Sequence, residues 1–314
     1  MNSVCKRLLT LFIYIRYPKI PGQYRWFLRF YYLGSLNQLR YLKKDFFVRK
    51  PYREVKFFGE FQQELLYVLP HAYWHFKNGT LQKTVSAKDT TPFYFFSPNH
   101  EERFISRKWR GNYNISFPNA PHNHKLNRIK WRQIPLKAHY TNNKFIFEKP
   151  ILVIANRFNT EWENSPISYF DIDCLDRLIC MLEDDFQIIY NRPESYEITN
   201  DNSEIRELNE KQFIKKKYPN TIILSDIHRE MDYSFNELQL RIYANCSNFI
   251  SIHGGTATLA SYFGGRNVIF SKRGHEHYLK EFENIFPKLA GARIYHVKSY
   301  PDLFEKVKSV FDAN

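Results

Sequence analysis

A buried strand that runs through two consecutive glycines into a helix constrains this chain more than any other part of its sequence. Residues 249–253 form a mostly apolar run, Gly254 and Gly255 follow at once, and residues 256–263 show helical apolar spacing. A short, mostly apolar run of this kind is typical of a buried strand in the parallel sheets of α/β proteins. A helix directly after such a strand predicts a crossover to a parallel neighbour.

The same alternation extends over the second half of the chain. The predicted strands there are 150–155, 186–190, 221–225, 249–253 and 267–270. The predicted helices are 173–182, 235–246, 256–263 and 301–311. Strands that alternate with helices in this way predict a doubly wound parallel sheet. We expect the last helix to pack back toward the first half of the chain.

The first half shows a weaker α/β pattern. Its predicted elements are a strand at 54–58, a turn at Gly59, a helix at 60–69, a turn at Asn78-Gly79 and a strand at 91–97. Pro70 is predicted to interrupt the chain after the helix, and 98–141 is predicted as loops and short strands. A length of 314 residues suffices for two domains. We place their boundary near residue 148.

Positive charge is concentrated at the start of the chain. The net charge is +14, and the first fifty residues hold eleven Lys and Arg residues against one acidic residue, Asp45, with aromatic residues between them. Such a surface attracts phosphates in lipid head groups, nucleic acid or diphospho-sugars. One interpretation is a solvated face with helix packing. Another is a non-enzymatic binder of an anionic surface or of nucleic acid, although no nucleic-acid motif accompanies the charge, and we expect no specific nucleic acid.

The cysteines and the apolar segments bear on the cellular compartment. The four cysteines show neither metal-site spacing nor a disulfide framework, which is typical of a reducing environment. The apolar stretch at 8–15 is much shorter than the 18 or more residues of a membrane span. We expect a soluble, cytoplasmic protein, and peripheral contact with a membrane through residues 1–50 is an alternative to the solvated face.

The diglycine segment has a chemical interpretation. Ligands of open parallel sheets bind beyond the carboxyl ends of the strands, and glycines there let backbone N–H groups approach a diphosphate at the start of a helix. Thr256 and Thr258 add hydroxyl donors, and His253 can donate to a phosphate or a sugar. The alternative is a tight turn in which the glycines only relieve backbone strain and His253 belongs to the core.

Residues 243–276 resemble the donor-binding half of GT-B glycosyltransferases. That family has a His-Gly-Gly-type loop, a helix, a glycine before the next strand and an acidic residue beyond it. The resemblance implies that Gly254, Gly255 and Thr256 hold the diphosphate of a nucleotide sugar and that Glu276 contacts the ribose or the donor sugar. The chain departs from the family at 263–267, Phe-Gly-Gly-Arg-Asn, where members usually have Gly-x-Pro.

The resemblance implies a GT-B-like α/β architecture of two Rossmann-like domains with parallel sheets that face a central cleft. The acceptor-side domain would cover 1–148 with a basic aromatic extension over about 1–50, the donor domain 149–300 and a C-terminal helix 301–314. We expect metal-independent transfer of a sugar from a nucleoside diphosphate, UDP above all, to a hydroxyl of a glycan acceptor. The whole chain is also loosely similar to glycan-building transferases of large algal viruses and some bacteria, which implies xylose or another neutral sugar.

Loops after the predicted strands supply further donor-site candidates. Asn156 and Arg157 follow the first strand of the donor domain, and the guanidinium of Arg157 suits a diphosphate clamp, unless it is a surface residue. Arg192, after the next strand, is a weaker candidate for the same role. Ile227 and His228 follow the strand predicted at 221–225 and are candidate contacts of the nucleotide base.

Asp171-Ile-Asp173 is formally a DxD motif, the metal–diphosphate signature of the GT-A fold. A metal-dependent GT-A enzyme that uses Asp171 and Asp173 is therefore an alternative. The motif also immediately precedes a predicted helix, where aspartate is a favoured N-cap. His275 and His277 flank Glu276 without further ligands at zinc spacing, and we expect no metal and no cofactor besides the nucleotide-sugar co-substrate.

Transfer to a hydroxyl with inversion of configuration requires a general base, which GT-B enzymes usually supply from the first domain. The candidates are Glu60, His71, Asp89, His100, Glu101 and Glu102. Residues 100–102 follow the predicted strand at 91–97, where a cleft residue belongs. Each candidate could instead be a surface or capping residue. A retaining reaction needs no such base, and the sequence leaves the stereochemistry open.

Overall fold

The computed structural model describes residues 3–25, 27–108, 117–119, 125–160, 165–199 and 204–312. The strands are β1 (Arg53–Lys56), β2 (Leu81–Ala87), β3 (His100–Phe104), β4 (Ile151–Ala155), β5 (Asn159–Thr160), β6 (Gln187–Asn191), β7 (Glu204–Ile205), β8 (Ile222–Ile223), β9 (Asn248–Ile252), β10 (Arg266–Phe270) and β11 (Arg293–Val297). The helices are α1 (Ser3–Arg16), α2 (Gly22–Arg25), α3 (Leu28–Asn37), α4 (Phe61–Gln63), α5 (Leu69–Lys77), α6 (Leu136–Tyr140), α7 (Ile172–Leu182), α8 (Glu210–Lys217), α9 (Leu224–Glu230), α10 (Phe235–Ala244), α11 (Gly255–Ser261), α12 (His275–Leu279), α13 (Glu281–Asn284), α14 (Pro287–Ala290) and α15 (Tyr300–Phe311). We refer to 3–50 as the N-terminal segment, to 51–148 as the first unit and to 149–312 as the second unit.

The second unit contains a six-stranded sheet in the order β11-β10-β9-β4-β6-β8, and all its pairs are parallel. The chain starts in the middle at β4, moves outward to β6 and β8, and then returns to β9 on the other side of β4. The strand order therefore reverses between β4 and β9. Every residue of these two strands is buried, which explains why β4 is apolar throughout and why β9 has only the short polar side chains of Asn248 and Ser251 among its apolar residues. The predicted mixed α/β fold with parallel sheets is confirmed.

The first unit has a three-stranded parallel sheet in the order β1-β2-β3. Strand β2 was not predicted, because it carries polar side chains at buried positions. The strand predicted at 91–97 is wrong: Thr91–Tyr94 is a turn of 3₁₀ helix, and the strand lies later, at β3. Pro92 occupies the first turn of that 3₁₀ helix and cannot donate to a ladder, while Phe93 is buried in the core without being extended.

The helix after β1 continues past Pro70 to the end of α5, so the predicted interruption there is wrong. A π-helical stretch between α4 and α5 widens the turn before the proline. The carbonyl oxygens of Leu65 and Leu66 accept hydrogen bonds from the Tyr262 hydroxyl (2.5 Å) and Trp131 Nε1 (3.0 Å). Pro70 has no N–H group to donate within the helix, and these two side chains bond to backbone acceptors of the turn before it. Because Tyr262 belongs to the second unit, this irregular helix also links the two units.

Two further predictions require correction. The strand predicted at 221–225 is reduced to β8, and the chain turns into α9 at Leu224. The last helix, α15, packs on α7, β10 and β11 of the second unit rather than toward the first. Its buried residues Leu303, Val307 and Phe311 join the apolar cluster on that face of the six-stranded sheet.

The N-terminal segment packs against the second unit. Ile13, Ile20 and Leu28 form a small apolar cluster with Leu279 of α12. The ring of Tyr24 stacks on that of Tyr278, with centroids 5.3 Å apart. Within the described residues, no helix is both long and apolar enough to cross a bilayer.

Candidate functional site

A cleft of about 800 Å³ opens where β4, β6 and β9 end. These carboxyl ends include the point at which the strand order reverses, where open parallel sheets bind ligands. The second unit contributes, among others, Asn156, Arg157, Asn191, Arg192, His253, Gly254, Gly255, Thr256, Arg273 and Glu276. The first unit contributes Glu60, Phe61, Gln62, Lys88 and Arg107, and the N-terminal segment contributes Tyr24 and Phe27. Three parts of the chain therefore meet around one cavity.

The diglycine turn forms the floor of this cleft. Gly254 has φ +99° and ψ −150°, a conformation that is essentially restricted to glycine. A Cβ built on Gly254 would lie 3.2 Å from Nη1 of Arg157, and one on Gly255 would lie 2.9 Å from Cδ1 of Phe61. The turn thus has a guanidinium on one side and an aromatic ring of the first unit on the other. The structure brings Arg157 and both glycines together, as their sequence positions predict.

His253 is 8% exposed, and its Nδ1 atom has no hydrogen-bond partner in the described part of the chain. Burial lowers the pKa of His253 to about 4, and the nearby Arg157 acts in the same direction while Glu276 opposes it. The ring is therefore neutral near pH 7, with one donor and one acceptor nitrogen. A buried polar atom without a partner at the wall of a cavity is suited to a hydrogen bond with a ligand.

The two threonines after the glycines differ in their surroundings. Thr256 is partly exposed and lines the cleft. Thr258 is fully buried, and its hydroxyl donates to the carbonyl oxygen of Gly254 at 2.9 Å. Thr258 therefore supports the turn from below instead of facing the cavity.

Asn156 and Arg192 line the cleft, but their polar groups are bound within the protein. The Asn156 amide donates to the carbonyl of Phe170 (2.9 Å), and its Oδ1 accepts from the backbone N–H of Arg157 (2.8 Å). Arg192 is 4% exposed and forms a two-pronged ion pair with Glu210 (2.5 and 3.2 Å). Asn156 thus orients the loop that carries Arg157, and the charge of Arg192 is neutralised by its partner.

Glu276 lines the cleft at the start of α12 and is 3% exposed. Its carboxylate occupies the space that a Cβ on Gly274 would need. Nearby Glu281 is fully buried, and burial together with the charge of Glu276 raises the pKa of Glu281 well above the usual range. His275 lies between the two, with Nδ1 3.7 Å from Glu276 and Nε2 3.9 Å from Glu281. Burial and the neighbouring charge therefore favour the protonated form of Glu281, a feature that its sequence position does not reveal.

Ile227 and His228 do not line the cleft; they lie within α9, because the strand before them is shorter than predicted. The Nδ1 atom of His228 is 2.8 Å from a carboxylate oxygen of Glu197. Ile227 packs against the core cluster shared by the two units.

Of the candidate bases, Glu60 lines the cleft, and the others lie outside its lining. Glu60 is half-buried and directly precedes α4, next to Phe61, which touches the diglycine turn. His71 is fully buried, and burial lowers its pKa. Asp89 contacts Asn236 through its backbone and its carboxylate, and burial raises its pKa.

Residues 100–102 form β3 itself and do not follow the end of a strand. The ring nitrogens of His100 lie 2.8 and 3.0 Å from the hydroxyls of Thr84 and Thr90. Glu101 is ion-paired with Lys83 and Arg103, whose hydrogen bonds lower its pKa to about 2. The prediction that this cluster lies at the cleft is wrong, because no strand precedes it at 91–97 and β3 begins at the cluster, so these residues do not lie beyond a strand end.

Glu102 is also bound within the protein. Its carboxylate accepts hydrogen bonds from the backbone N–H groups of Asp89 and Thr91, both at 2.8 Å. Burial alone would raise the pKa of Glu102, but a hydrogen bond from the Thr91 hydroxyl (2.6 Å) and the two backbone hydrogen bonds outweigh it and lower the pKa. The carboxylate holds together the loop between β2 and β3.

Asp171 is the N-cap of α7, and its carboxylate accepts from the backbone N–H of Cys174 at 2.8 Å. Asp173, in the first turn of the helix, points to solvent. Neither residue lines the cleft. In the described ranges, no group of three or more His, Cys, Asp or Glu side chains is placed to hold a metal ion.

Substitution of Asp171 separates capping from metal binding. We expect Asp171→Ala to lower the free energy of unfolding by about 1 kcal/mol, and Asp171→Asn to retain most of it, because asparagine is an equally good N-cap. Urea denaturation measures both. Asp171→Asn and Asp173→Ala should retain turnover in the presence of EDTA; loss of turnover in either would favour the metal-dependent alternative.

Several polar residues of the cleft were not predicted, among them Asn191, Lys88 and Arg273. Asn191 is 2% exposed, and its Oδ1 has no hydrogen-bond partner in the described ranges. Lys88 follows the carboxyl end of β2, and Arg273 follows that of β10. The rule that ligands bind beyond strand ends identifies all three once the strands are placed.

Comparisons with known proteins found few similarities. No protein-family model matches the chain, and no curated protein matches it. A search of solved structures found a glycosyl transferase family 9 from Veillonella parvula, at a TM-score of 0.34 and 10% sequence identity. The match covers 77% of this chain and 63% of the other, so the chain spans less than two thirds of that protein's length. This TM-score is too low to support an argument about function, so only the residues of the cleft bear on what it binds.

Proposed function

We propose that the cleft binds a nucleoside diphosphate-sugar and that the protein is a glycosyltransferase, which moves the sugar to a hydroxyl of a glycan acceptor. The observation that carries the proposal is the guanidinium of Arg157 against Gly254, at the reversal point of a parallel sheet. Glycine at this position leaves room for phosphate oxygens beside a cation that always keeps its charge. This combination suits a diphosphate better than a neutral ligand.

In the proposed complex, the diphosphate lies over the turn between β9 and α11. Arg157 donates two hydrogen bonds to its oxygens and stabilises the negative charge that develops on the leaving nucleotide. Nδ1 of His253 and the hydroxyl of Thr256 are within the same wall and can bind the phosphate or the donor sugar. Because the leaving group has a cation of the protein beside it, we propose a mechanism that does not depend on a metal.

The donor that we propose is a UDP-sugar with a neutral sugar such as xylose. The choice of xylose follows from the sequence resemblance alone. Glu60 of the first unit also lines the cleft, and it is the residue that we propose to accept the proton of the acceptor hydroxyl if configuration is inverted. Glu276 would bind hydroxyls of the ribose or of the donor sugar, since it is a buried carboxylate at the wall of the cleft.

A thermal-shift screen of nucleoside diphosphates and their sugars tests the proposal directly. We expect UDP to raise the melting temperature by about 5 °C at a hundred times its Kd, because ligand binding at that ratio stabilises by about 2.7 kcal/mol. Gly254→Ala should abolish the shift, since its Cβ meets Arg157 and the backbone conformation disfavours any L residue.

Gly291→Ala is the matched control, because Gly291 also has a positive φ (+75°) but has nothing within 4 Å of a built Cβ. It should lose some stability and keep the full UDP shift. No response of the wild type to any nucleotide would refute the proposal. That outcome would favour the second candidate, a non-enzymatic binder of an anionic surface or of nucleic acid that uses the basic N-terminal segment. Deletion of residues 1–50 would then abolish the salt-sensitive binding to such a ligand.

A further inference from the structure

Helix α1 has two apolar faces, and one of them is uncovered. Ile13 is 1% exposed and faces the cluster that includes Ile20, Leu28 and Leu279. On the opposite side, four large apolar residues are exposed to solvent: Leu8 (61%), Leu11 (58%), Phe12 (47%) and Ile15 (71%). Their spacing of three, four and seven residues places them in one stripe about 10 Å long. Contiguous exposed apolar residues of this kind often mark a site at which a protein binds a partner or a membrane.

The charge carried by α1 and the residues after it is of one sign. Between residues 6 and 44 the sequence holds nine Lys and Arg residues and no acidic residue. The next residue, Asp45, is fully buried and paired with Lys130 and Tyr52, so it does not offset this charge at the surface. An uncovered apolar stripe with cations around it is the pattern of helices that lie in the interface of an anionic membrane.

We infer that α1 docks on the surface of an anionic lipid bilayer, with its uncovered face among the acyl chains and its cations at the head groups. A second copy of the chain would fit less well, because two such segments would bring like charges together. Nucleic acid would pair with the cations but would leave the apolar stripe in water. The same segment supplies Tyr24 and Phe27 to the wall of the cleft, so docking would bring the cleft close to the membrane.

Vesicle flotation of the full chain tests this inference. We expect the wild type to float with phosphatidylcholine vesicles that contain about 30% phosphatidylglycerol, and to bind at least about fivefold less to phosphatidylcholine alone. The triple variant Leu8→Gln, Leu11→Gln, Ile15→Gln should bind the anionic vesicles at least about tenfold more weakly, because three side chains no longer enter the apolar layer. Its melting temperature shows that it remains folded.

The matched control is Ile105→Gln, Ile129→Gln, Ile146→Gln, which changes three exposed isoleucines outside α1 (88%, 50% and 66% exposed). This control should float like the wild type. A wild type that does not float, or a triple variant of α1 that floats as well as the control, would overturn the inference. Absence of flotation together with a concentration-dependent dimer that the α1 variant loses would assign the stripe to a second copy instead.

Discussion

Arg157→Ala is expected to lower kcat/KM for the donor sugar by about 100- to 1000-fold, the usual effect of removing one hydrogen-bond donor that faces a developing anion. In the structure, the guanidinium lies against Gly254, where the proposed diphosphate would rest. The leaving nucleotide gains negative charge as its bond to the sugar breaks. The loss should therefore fall more on kcat than on KM.

Arg157→Lys refines this prediction, because lysine keeps the charge but lacks the planar fork that binds two oxygens. We expect its activity to lie between those of the wild type and Arg157→Ala. Arg177→Ala is the matched control: Arg177 stacks on Phe304 (4.1 Å from its ring centroid), outside the cleft. Steady-state kinetics with a UDP-sugar measure all three. Equal activity of Arg157→Ala and Arg177→Ala would remove Arg157 from the mechanism.

The six-stranded sheet could be predicted because its central strands are recognisable from the residues within each strand, without knowledge of their partners. β4 and β9 are buried on both faces, and apolar residues occupy all five positions of β4 and three of the five positions of β9. The diglycine turn and Arg157 directly follow these strands in the sequence. Their meeting follows from strand order alone, since the carboxyl ends of β4 and β9 are neighbours.

The first unit could not be predicted as well, because its sheet depends on distant partners. Thr84 and Ser86 of β2 are fully buried, and they bond to residues far away in the sequence: Thr84 to Ser97 at 2.8 Å, and Ser86 to Glu64. Such positions resemble a polar loop until their partners are known. Because β2 was missed, a strand was predicted at 91–97 instead of at β3. The residues 100–102 were therefore expected beyond the end of a strand, at the cleft, whereas they lie within β3.

The wall formed by the N-terminal segment was also beyond sequence analysis. Composition showed that this segment is basic and aromatic, but not which of its residues would be covered. Tyr24 reaches the cleft because its ring stacks on Tyr278 of the second unit, a contact between residues 254 positions apart in the chain. In composition, Tyr24 does not differ from the exposed apolar residues of α1; only the tertiary packing shows which of them are covered.

Glu60→Gln is expected to lower kcat by about 100- to 10,000-fold if the reaction inverts configuration, the range observed for loss of a general base. Glu60 directly precedes Phe61, whose ring is 2.9 Å from a Cβ built on Gly255. Glu60 itself lines the cleft, beside the residue that touches the diglycine turn. Glutamine keeps the size of the side chain but cannot take the proton, so the thermal shift with UDP should be unchanged.

Glu101→Gln is the matched control, because Glu101 belongs to the same unit but is ion-paired at the surface, outside the cleft. It should retain wild-type kcat. The anomeric configuration of the product, read by NMR at early times, decides how the result is interpreted. A retaining reaction requires no base, and Glu60→Gln would then change kcat only slightly. An inverting reaction that survives Glu60→Gln would contradict the assignment, and the base would have to come from another residue of the cleft wall.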